Sequence, residues 1–183
     1  MSILSVYPQF SPQLPSKVLT HAEDIASTLA EVGVLFARWP LVPGITAGNS
    51  AAEIICAYQS SIDHLFSEEG SSAVDVLGLA SAPAQMVEMR EQFLREHSHN
   101  TALARLFVAG RGLFAVHIGE QVFEVLCEKG DLLSLPVGTR HWFDLGEKPD
   151  GVFIRLLGNV DEAAAQFTGE SIAEQFTRLE TWF

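Results

Sequence analysis

Hydrophobic residues in the first half of the chain recur at the spacing of an α-helix. Between His21 and Val32 they fall on one stripe, and the same spacing returns between about Ser50 and Ser67 and between about Ala82 and Leu94. Apolar residues at positions i, i+3, i+4 and i+7 lie on one face of a helix. The pattern predicts that residues 1–94 form a helical N-terminal part.

From His97 onward the pattern changes to short runs rich in Val, Leu and Phe, separated by the turn sequences AGRG, IGEQ, EKGD, PVGT and GEKPDG. Short apolar runs at this regular spacing are typical of strands in a barrel or sandwich. The pattern predicts a barrel core over residues 95–158. Helix-compatible patterns return after it, which predicts C-terminal helices over residues 159–183. We therefore expect one domain over residues 1–183, mainly β with flanking helices.

Composition agrees with a folded chain and excludes two classes of partner. Nearly half of the 183 residues are hydrophobic, and 11 basic against 23 acidic residues give a formal charge of -12. Binding to a phosphate backbone or an anionic membrane depends on clustered Lys and Arg, so neither partner is expected. The chain shows no signal-peptide pattern and no apolar run of the roughly 20 residues that cross a bilayer. A cytoplasmic protein is expected.

Three histidines have the spacing of a metal site. His97 and His99 are two residues apart in a segment with strand character, so both imidazoles should project from the same face. His141 follows in GDLLSLPVGTRHWF, where glycines and a proline can turn the chain back toward the barrel interior. Imidazole suits Fe, Ni, Cu and Zn. The spacing predicts a divalent transition metal held by these three side chains.

Two sequence runs resemble a known family. HSHNTALARLFVAG is similar to the first cupin motif, and GDLLSLPVGTRH to the second. Within the cupins, the run from REQFLREHSH to RHWFDLG most resembles the acireductone dioxygenase family, and the similarity extends over most of the chain. The resemblance implies a jelly-roll β-barrel. It also implies a dioxygenase of methionine salvage that cleaves an enediol with O2, giving a keto acid and formate with iron, or releasing CO with nickel.

In that family three His and one Glu hold the metal, and Leu103 stands at the Glu position of this chain. Residues 97 to 105 at odd positions share one face of a regular strand, so Leu103 should point at the metal. Its side chain cannot be a ligand, which makes the chain a divergent member. Glu96 has the opposite parity, and Glu120, Glu124 and Asp131 lie in or beside turns, so none replaces the missing carboxylate. Fe²⁺ or Ni²⁺ is favoured by the resemblance, while Zn²⁺, Co²⁺ or Mn²⁺ also suit three imidazoles.

Further site residues follow from the resemblance. Arg105 matches an arginine that positions the substrate, and its guanidinium could bind an anionic enediolate. We therefore expect Arg105 to be catalytic and to bind substrate. Phe93 and Phe143 also match family positions, and with Leu103 they are candidates for the substrate pocket. His117 lies among apolar neighbours and is interpreted as a core or rim residue.

Three functions remain open at this level. The first is an oxygenase of the acireductone dioxygenase type with a small-molecule substrate and O2. The second keeps the fold and the metal but oxidises a different substrate in a specialised pathway, which the substitution at Leu103 would accompany. The third is a cupin that binds a metal or small molecule without turnover. A monomer or small homo-oligomer is expected in each case.

Overall fold

The computed structural model describes residues 1–46, 48–69, 72–78, 83–147, 151–159, 161 and 164–183. Its strands, in chain order, are β1 (Ile3–Pro8), β2 (Lys17–Leu19), β3 (Leu35–Arg38), β4 (Ala73–Gly78), β5 (His97–Ser98), β6 (Leu103–Ala109), β7 (Arg111–Ile118), β8 (Gln121–Glu128), β9 (Asp131–Leu135), β10 (Arg140–Asp144), β11 (Val152–Leu157) and β12 (Gln166–Phe167). The helices are α1 (Ala22–Ala30), α2 (Ala51–Ala57), α3 (Gln59–Glu69) and α4 (Pro83–Phe93), followed by short 3₁₀ helices at Ile172–Gln175 and Leu179–Trp182.

The strands form two antiparallel sheets. The larger sheet has the order β12-β5-β10-β7-β8-β1-β2, and the smaller has the order β3-β9-β6-β11-β4. No strand of the described ranges belongs to both sheets, so the barrel is an open sandwich. The predicted architecture, mainly β with flanking helices, is confirmed.

The main core lies between the two sheets. Phe114 and Phe143 of the larger sheet pack with Phe107 and Phe153 of the smaller one. These rings meet mostly edge to face, an arrangement that aromatic pairs prefer. A Cβ at Gly112 would lie 2.5 Å from the Phe143 ring, so this position needs glycine for the ring to reach its place.

Each sheet is also covered on its outer face. The alternate residues of β6, such as Leu106, pack against Ile54 and Ile62 of α2 and α3. On the larger sheet, Trp142 packs with Phe176 in the C-terminal segment. Leu106 packs in the core under α2 and α3, whereas Phe107 packs in the core between the two sheets. Because side chains alternate along a strand, Leu103 and Arg105 face the interior together with Phe107.

The prediction of a helical part over residues 1–94 is wrong for β1 to β4. α1 and α4 agree with predicted helices, except that residue 82 lies outside the described residues, and the helix predicted from Ser50 to Ser67 is divided at Tyr58 into α2 and α3. The four missed strands are short, and three of them depend on partners far along the chain: β1 pairs with β8, β3 with β9 and β4 with β11, while β2 pairs with β1. Pairing of this kind leaves little signal in local periodicity.

The C-terminal helices predicted over residues 159–183 are also wrong in part. Residues 160, 162 and 163 lie outside the described residues. Gln166 and Phe167, which belong to the helix-compatible run, instead form β12 and pair with β5. The 3₁₀ helices at Ile172–Gln175 and Leu179–Trp182 correspond to the prediction. Along the described residues, no helix has the length and apolarity needed to cross a membrane.

Glu124 lies buried on the outer face of β8, under the C-terminal segment, and gives a testable pH dependence. One carboxylate oxygen accepts a hydrogen bond from Thr177 at 2.7 Å, and the side chain has no solvent exposure. Burial raises the pKa of Glu124 from 4.5 to about 7. A raised carboxyl pKa stabilises the fold below the unfolded value and loses that contribution as pH rises through the folded value. The loss should fall between about pH 4.5 and pH 7.

We therefore expect Glu124→Gln, which cannot ionise, to gain stability over the wild-type protein as pH rises. Between pH 5 and pH 8 the difference in the free energy of unfolding should shift by about 2–3 kcal/mol. Urea denaturation of both proteins at the two pH values measures it. Glu120→Gln, at the exposed turn before β8, is the control and should show no such shift. An equal difference at both pH values would contradict the assignment.

Candidate metal centre

The three predicted histidines come together inside the sandwich. The ligand atoms of His97, His99 and His141 all lie within 4.8 Å of one another, and all three side chains are buried. Ring centroids are 4.4 Å apart for His97 and His141, 5.2 Å for His97 and His99, and 5.4 Å for His99 and His141. The cluster could hold a metal ion.

Strand pairing and a turn position these rings. His97 on β5 lies directly opposite His141 on β10 in the antiparallel pair. His99 follows β5, and its carbonyl accepts a hydrogen bond from the Gly138 N–H at 2.9 Å. Gly138 has a φ of +76°, a conformation that favours glycine, in the turn that leads into β10. The turn therefore joins the two segments that carry the histidines.

Hydrogen bonds and burial prepare the rings to bind a metal. The Nδ1 atoms of His97 and His141 lie 2.7 Å and 2.9 Å from the carbonyl oxygens of Arg95 and Thr139. Each Nδ1–H donates to its carbonyl, which leaves Nε2 to bind a metal. Burial lowers the pKa of His97 to about 4 and holds that of His141 well below 6.5. Both rings are therefore neutral at neutral pH, the form that binds metals.

The segment between the histidines and Arg105 differs from the regular strand that was predicted. β5 ends at Ser98 in the larger sheet, and β6 begins at Leu103 in the smaller one. The assumption of one continuous strand is wrong, because the chain crosses from one sheet to the other here. Leu103 nevertheless faces the interior, opposite Leu135 and Leu157 on the two neighbouring strands.

Among the described residues, no carboxylate or thiol joins the three histidines. The carboxylates considered as substitutes are mostly engaged elsewhere. Glu96 contacts His117 at 2.5 Å, Glu124 contacts Thr177, and Asp131 accepts a hydrogen bond from Ser2 at 2.5 Å. His117 is buried with Glu96, away from the three ligand atoms. Among the described residues, the site therefore has three imidazole nitrogen donors and no negative protein ligand.

Arg105 is a buried cation without a carboxylate partner among the described residues. Its side chain is 3% exposed, and Nε and Nη1 have no hydrogen-bond partner. The guanidinium carbon lies 4.2 Å from the ring centroid of Phe143, 5.1 Å from that of Phe114 and 5.6 Å from that of Phe93. Burial lowers the pKa of Arg105 to about 9. The neighbouring Asp75 is bound by Arg155, which leaves Arg105 able to take an anion.

The candidate pocket residues lie around this guanidinium. Phe143 is buried on β10, and Phe93 ends α4 with its ring 6.2 Å from that of Phe143. A cavity of about 110 Å³ is lined by Phe93 and Arg105 together with Met89, Leu77, Val76, Asp75 and Arg155. The structure thus brings Arg105, Phe93 and Phe143 together and places Leu103 two residues before Arg105 on the same face of β6.

Comparison with known proteins decides the family. The model of the ARD/ARD′ family matches residues 10–165. Acireductone dioxygenase of Pseudomonas syringae pv. syringae (strain B728a) is 56% identical over 180 residues, covering 98% of this chain and 99% of the relative. The corresponding enzyme of Stutzerimonas stutzeri (strain A1501) is 54% identical over the same length. The chain belongs to the ARD/ARD′ family.

A solved structure of the same family agrees. Acireductone dioxygenase from Bacillus anthracis, with a cadmium ion in its active centre, has a TM-score of 0.78 and 25% sequence identity, and the match covers 91% of this chain and 98% of that one. The cupin fold expected from the two motifs is thereby confirmed. The family is one of dioxygenases, so the chain is an oxidoreductase homologue over its whole length.

Two aromatic residues beside the ARD-family site were not selected from the sequence. Phe114 on β7 lies near both groups, with its ring centroid 5.1 Å from the guanidinium carbon of Arg105 and 6.0 Å from the ring centroid of His141. Alternation in LFAVH indicates that Phe114 and Val116 share a face, which could have identified it. Phe167 on β12 lies 5.8 Å from His97, centroid to centroid, and was missed because its segment reads as helix.

Proposed function

We propose that this chain is a metal-dependent dioxygenase that cleaves an acireductone-type enediol with O2 in methionine salvage. The observation that carries the proposal is the cluster of three buried histidines in a chain aligned over 98% of its length with acireductone dioxygenases. The expected partners are the small-molecule substrate and O2. We also propose a cytoplasmic location and a monomer or small homo-oligomer.

The proposed metal ligands are His97, His99 and His141. Their fit rests on the donor set itself, three imidazoles whose ligand atoms lie within 4.8 Å of one another, with Nε2 of His97 and His141 left available by the bonds at Nδ1. We favour Fe²⁺ or Ni²⁺ from the family, with Zn²⁺, Co²⁺ or Mn²⁺ also compatible with imidazole ligands. When bound, the metal would supply a Lewis acid for the enediol oxygens and O2.

The chain's own residues have separable roles in this proposal. Arg105 is the proposed catalytic residue, because its unpaired Nε and Nη1 can donate to an anionic enediolate and hold it in one orientation. Phe93 and Phe143 flank the guanidinium and would exclude water from the bound substrate. Leu103 would contribute an apolar wall where the family has a charged ligand.

A second function is favoured by Leu103 specifically. With three neutral ligands a bound divalent ion keeps a formal charge of +2, whereas a carboxylate would reduce it to +1. Such a centre could have been adapted to the oxidation of another enol or thiol compound. A third possibility is that the chain binds a metal or small molecule without turnover.

Metal content and O2 uptake separate these functions. We expect the purified protein to retain close to one divalent ion per chain and to consume O2 with an acireductone analogue. Metal without O2 uptake would favour another oxidative substrate, and ligand binding without uptake from any enol would favour the non-catalytic function. A protein that retains no metal would contradict both enzymatic functions.

Leu103→Glu tests what the missing carboxylate does. We expect metal affinity to increase by about 10- to 100-fold, because a negative ligand is added beside a divalent ion at a buried site. Competition with a chelator measures the dissociation constant. Glutamine has the length of glutamate without its charge, so Leu103→Gln should show a much smaller increase in metal affinity. If O2 uptake with acireductone does not rise in Leu103→Glu, the native leucine belongs to a different reaction.

A further inference from the structure

A buried hydrogen-bonded cluster lies on the outer face of the larger sheet, directly behind the histidines. Glu96 is 1% exposed, and both of its carboxylate oxygens are occupied: Oε1 lies 2.5 Å from Nδ1 of His117, and Oε2 accepts a hydrogen bond from the Thr168 hydroxyl at 2.6 Å. Nε2 of His117 lies 3.0 Å from Oε1 of Gln9. None of these residues was assigned a function above.

The cluster faces away from the metal site. On β7, Val116 belongs to the interior core, so His117 next to it points to the outer face. Glu96 precedes His97 and points outward in the same way. The four residues come from the loop after β1, the position just before β5, the end of β7 and the segment after β12. Its members are distant in sequence, and the fold alone brings them together.

Glu96 is the residue directly before a proposed metal ligand, and β5 has little support of its own. This strand has only two residues, paired with β10 through His97 and His141 and with β12 through Phe167 and Ser98. The backbone of Glu96 is held as well, because its carbonyl accepts a hydrogen bond from the Thr168 N–H at 3.1 Å. The placement of the His97 ring therefore depends on how firmly Glu96 is held.

The link between Glu96 and His117 also spans β10. In the larger sheet β10 lies between β5 and β7, and Val116, next to His117, is opposite His141. A side-chain bond from β5 to β7 fixes the segment that carries His97 and His99 relative to the strand beside His141. Buried hydrogen bonds of a carboxylate are strong and directional, so they restrict this separation.

We propose that Glu96 and His117 are positioning residues for the three-histidine centre, with Thr168 and Gln9 completing their hydrogen bonds. They act through the backbone of β5 and touch neither the metal nor the substrate. The inference rests on the proposed metal centre. It predicts that removing these hydrogen bonds lowers the metal affinity and alters the coordination geometry by more than a loss of fold stability would explain. Mutation of residues that orient metal ligands has effects of this kind.

The test measures Co²⁺ binding, by chelator competition, and the visible spectrum of the Co²⁺ protein, which reports the coordination geometry. Glu96→Ala and His117→Leu should each weaken Co²⁺ binding by about 10- to 100-fold and alter the spectrum. Glu96→Gln should keep the Co²⁺ affinity and the spectrum of the wild-type protein, because its amide can accept a hydrogen bond from His117 and donate one to Thr168.

Asp131→Ala is the matched control. Asp131 is also a buried carboxylate that accepts a hydroxyl hydrogen bond, from Ser2, but it begins β9 at the end of that strand opposite to Leu135. Asp131→Ala should lower the thermal midpoint of unfolding and leave the Co²⁺ affinity and the spectrum unchanged. If Glu96→Ala does not fold, Thr168→Val decides, with Ser2→Ala as its control, since each removes one hydroxyl donor to a buried carboxylate.

The outcomes are distinguishable. Wild-type protein that binds no Co²⁺ would contradict the metal centre and this inference with it. Wild-type binding with unchanged affinity and spectrum in Glu96→Ala, or in Thr168→Val where that variant decides, would overturn the inference alone. Equal weakening in the Asp131 or Ser2 control would also overturn it, because the effect would then come from general destabilisation.

Discussion

Replacing His141 by alanine is expected to remove metal binding and, with it, O2 consumption. His141 lies opposite His97 in the antiparallel pair, and its ligand atom is within 4.8 Å of those of His97 and His99. The centre has no carboxylate among the described residues, so its affinity depends on three imidazole nitrogens. Two imidazoles hold a divalent ion much less tightly than three. The loss of metal affinity should therefore exceed the roughly 100-fold that is typical when a residue hydrogen-bonded to a metal ligand is removed.

Metal analysis after dialysis and oxygen-electrode traces with an acireductone analogue measure this result. The thermal midpoint should rise with added metal in the wild-type protein and stay constant in His141→Ala, because only a bound ligand shifts the folding equilibrium. His21→Ala, at the exposed start of α1, is the control and should behave as wild type. Full metal retention in His141→Ala would show that the metal lies elsewhere.

The cluster of three histidines was predictable from the sequence because its information is local. His97 and His99 are two residues apart, and His141 follows a turn whose Pro and Gly are visible in the letters. The family motifs added Leu103 and Arg105. Their inward orientation on β6 agrees with the prediction, although the continuous strand that justified it does not exist.

Other parts of the fold could not be read from local patterns. β12 forms because β5 offers an edge to Gln166 and Phe167, and a two-residue strand has no periodicity of its own. The bond between Glu96 and His117 joins residues 21 positions apart, and neither partner predicts the other. Hydrogen bonds of this kind depend on the packed arrangement of whole sheets.

Leu103 and Arg105 together make the electrostatics of this site unusual. Arg105 is already a buried cation with unpartnered nitrogens, and a divalent ion held by neutral histidines would add two further positive charges nearby. Buried charges are costly unless they are compensated. An anionic ligand of the site would therefore be bound by both the metal and Arg105, which fits an enediolate better than a neutral substrate.

Arg105→Met is consequently expected to change stability and activity in opposite directions. Removal of a buried, unpaired guanidinium in favour of an apolar side chain of similar length should raise the free energy of unfolding by about 1–4 kcal/mol. The same change removes the donors proposed to hold the substrate, so kcat/KM should fall by about 100-fold. Urea denaturation and steady-state O2 uptake measure the two effects, with metal content checked in parallel.

Arg155→Met provides the comparison within the same row of the smaller sheet. Arg155 lies opposite Arg105 but is bound to Asp75, so its removal leaves a carboxylate without its partner and should not stabilise the protein. Arg105→Lys, which keeps the charge and loses the planar donors, should recover little activity. If Arg105→Met were destabilised and retained wild-type kcat/KM, Arg105 would be a structural residue, and the anionic substrate would have to be bound by the metal alone.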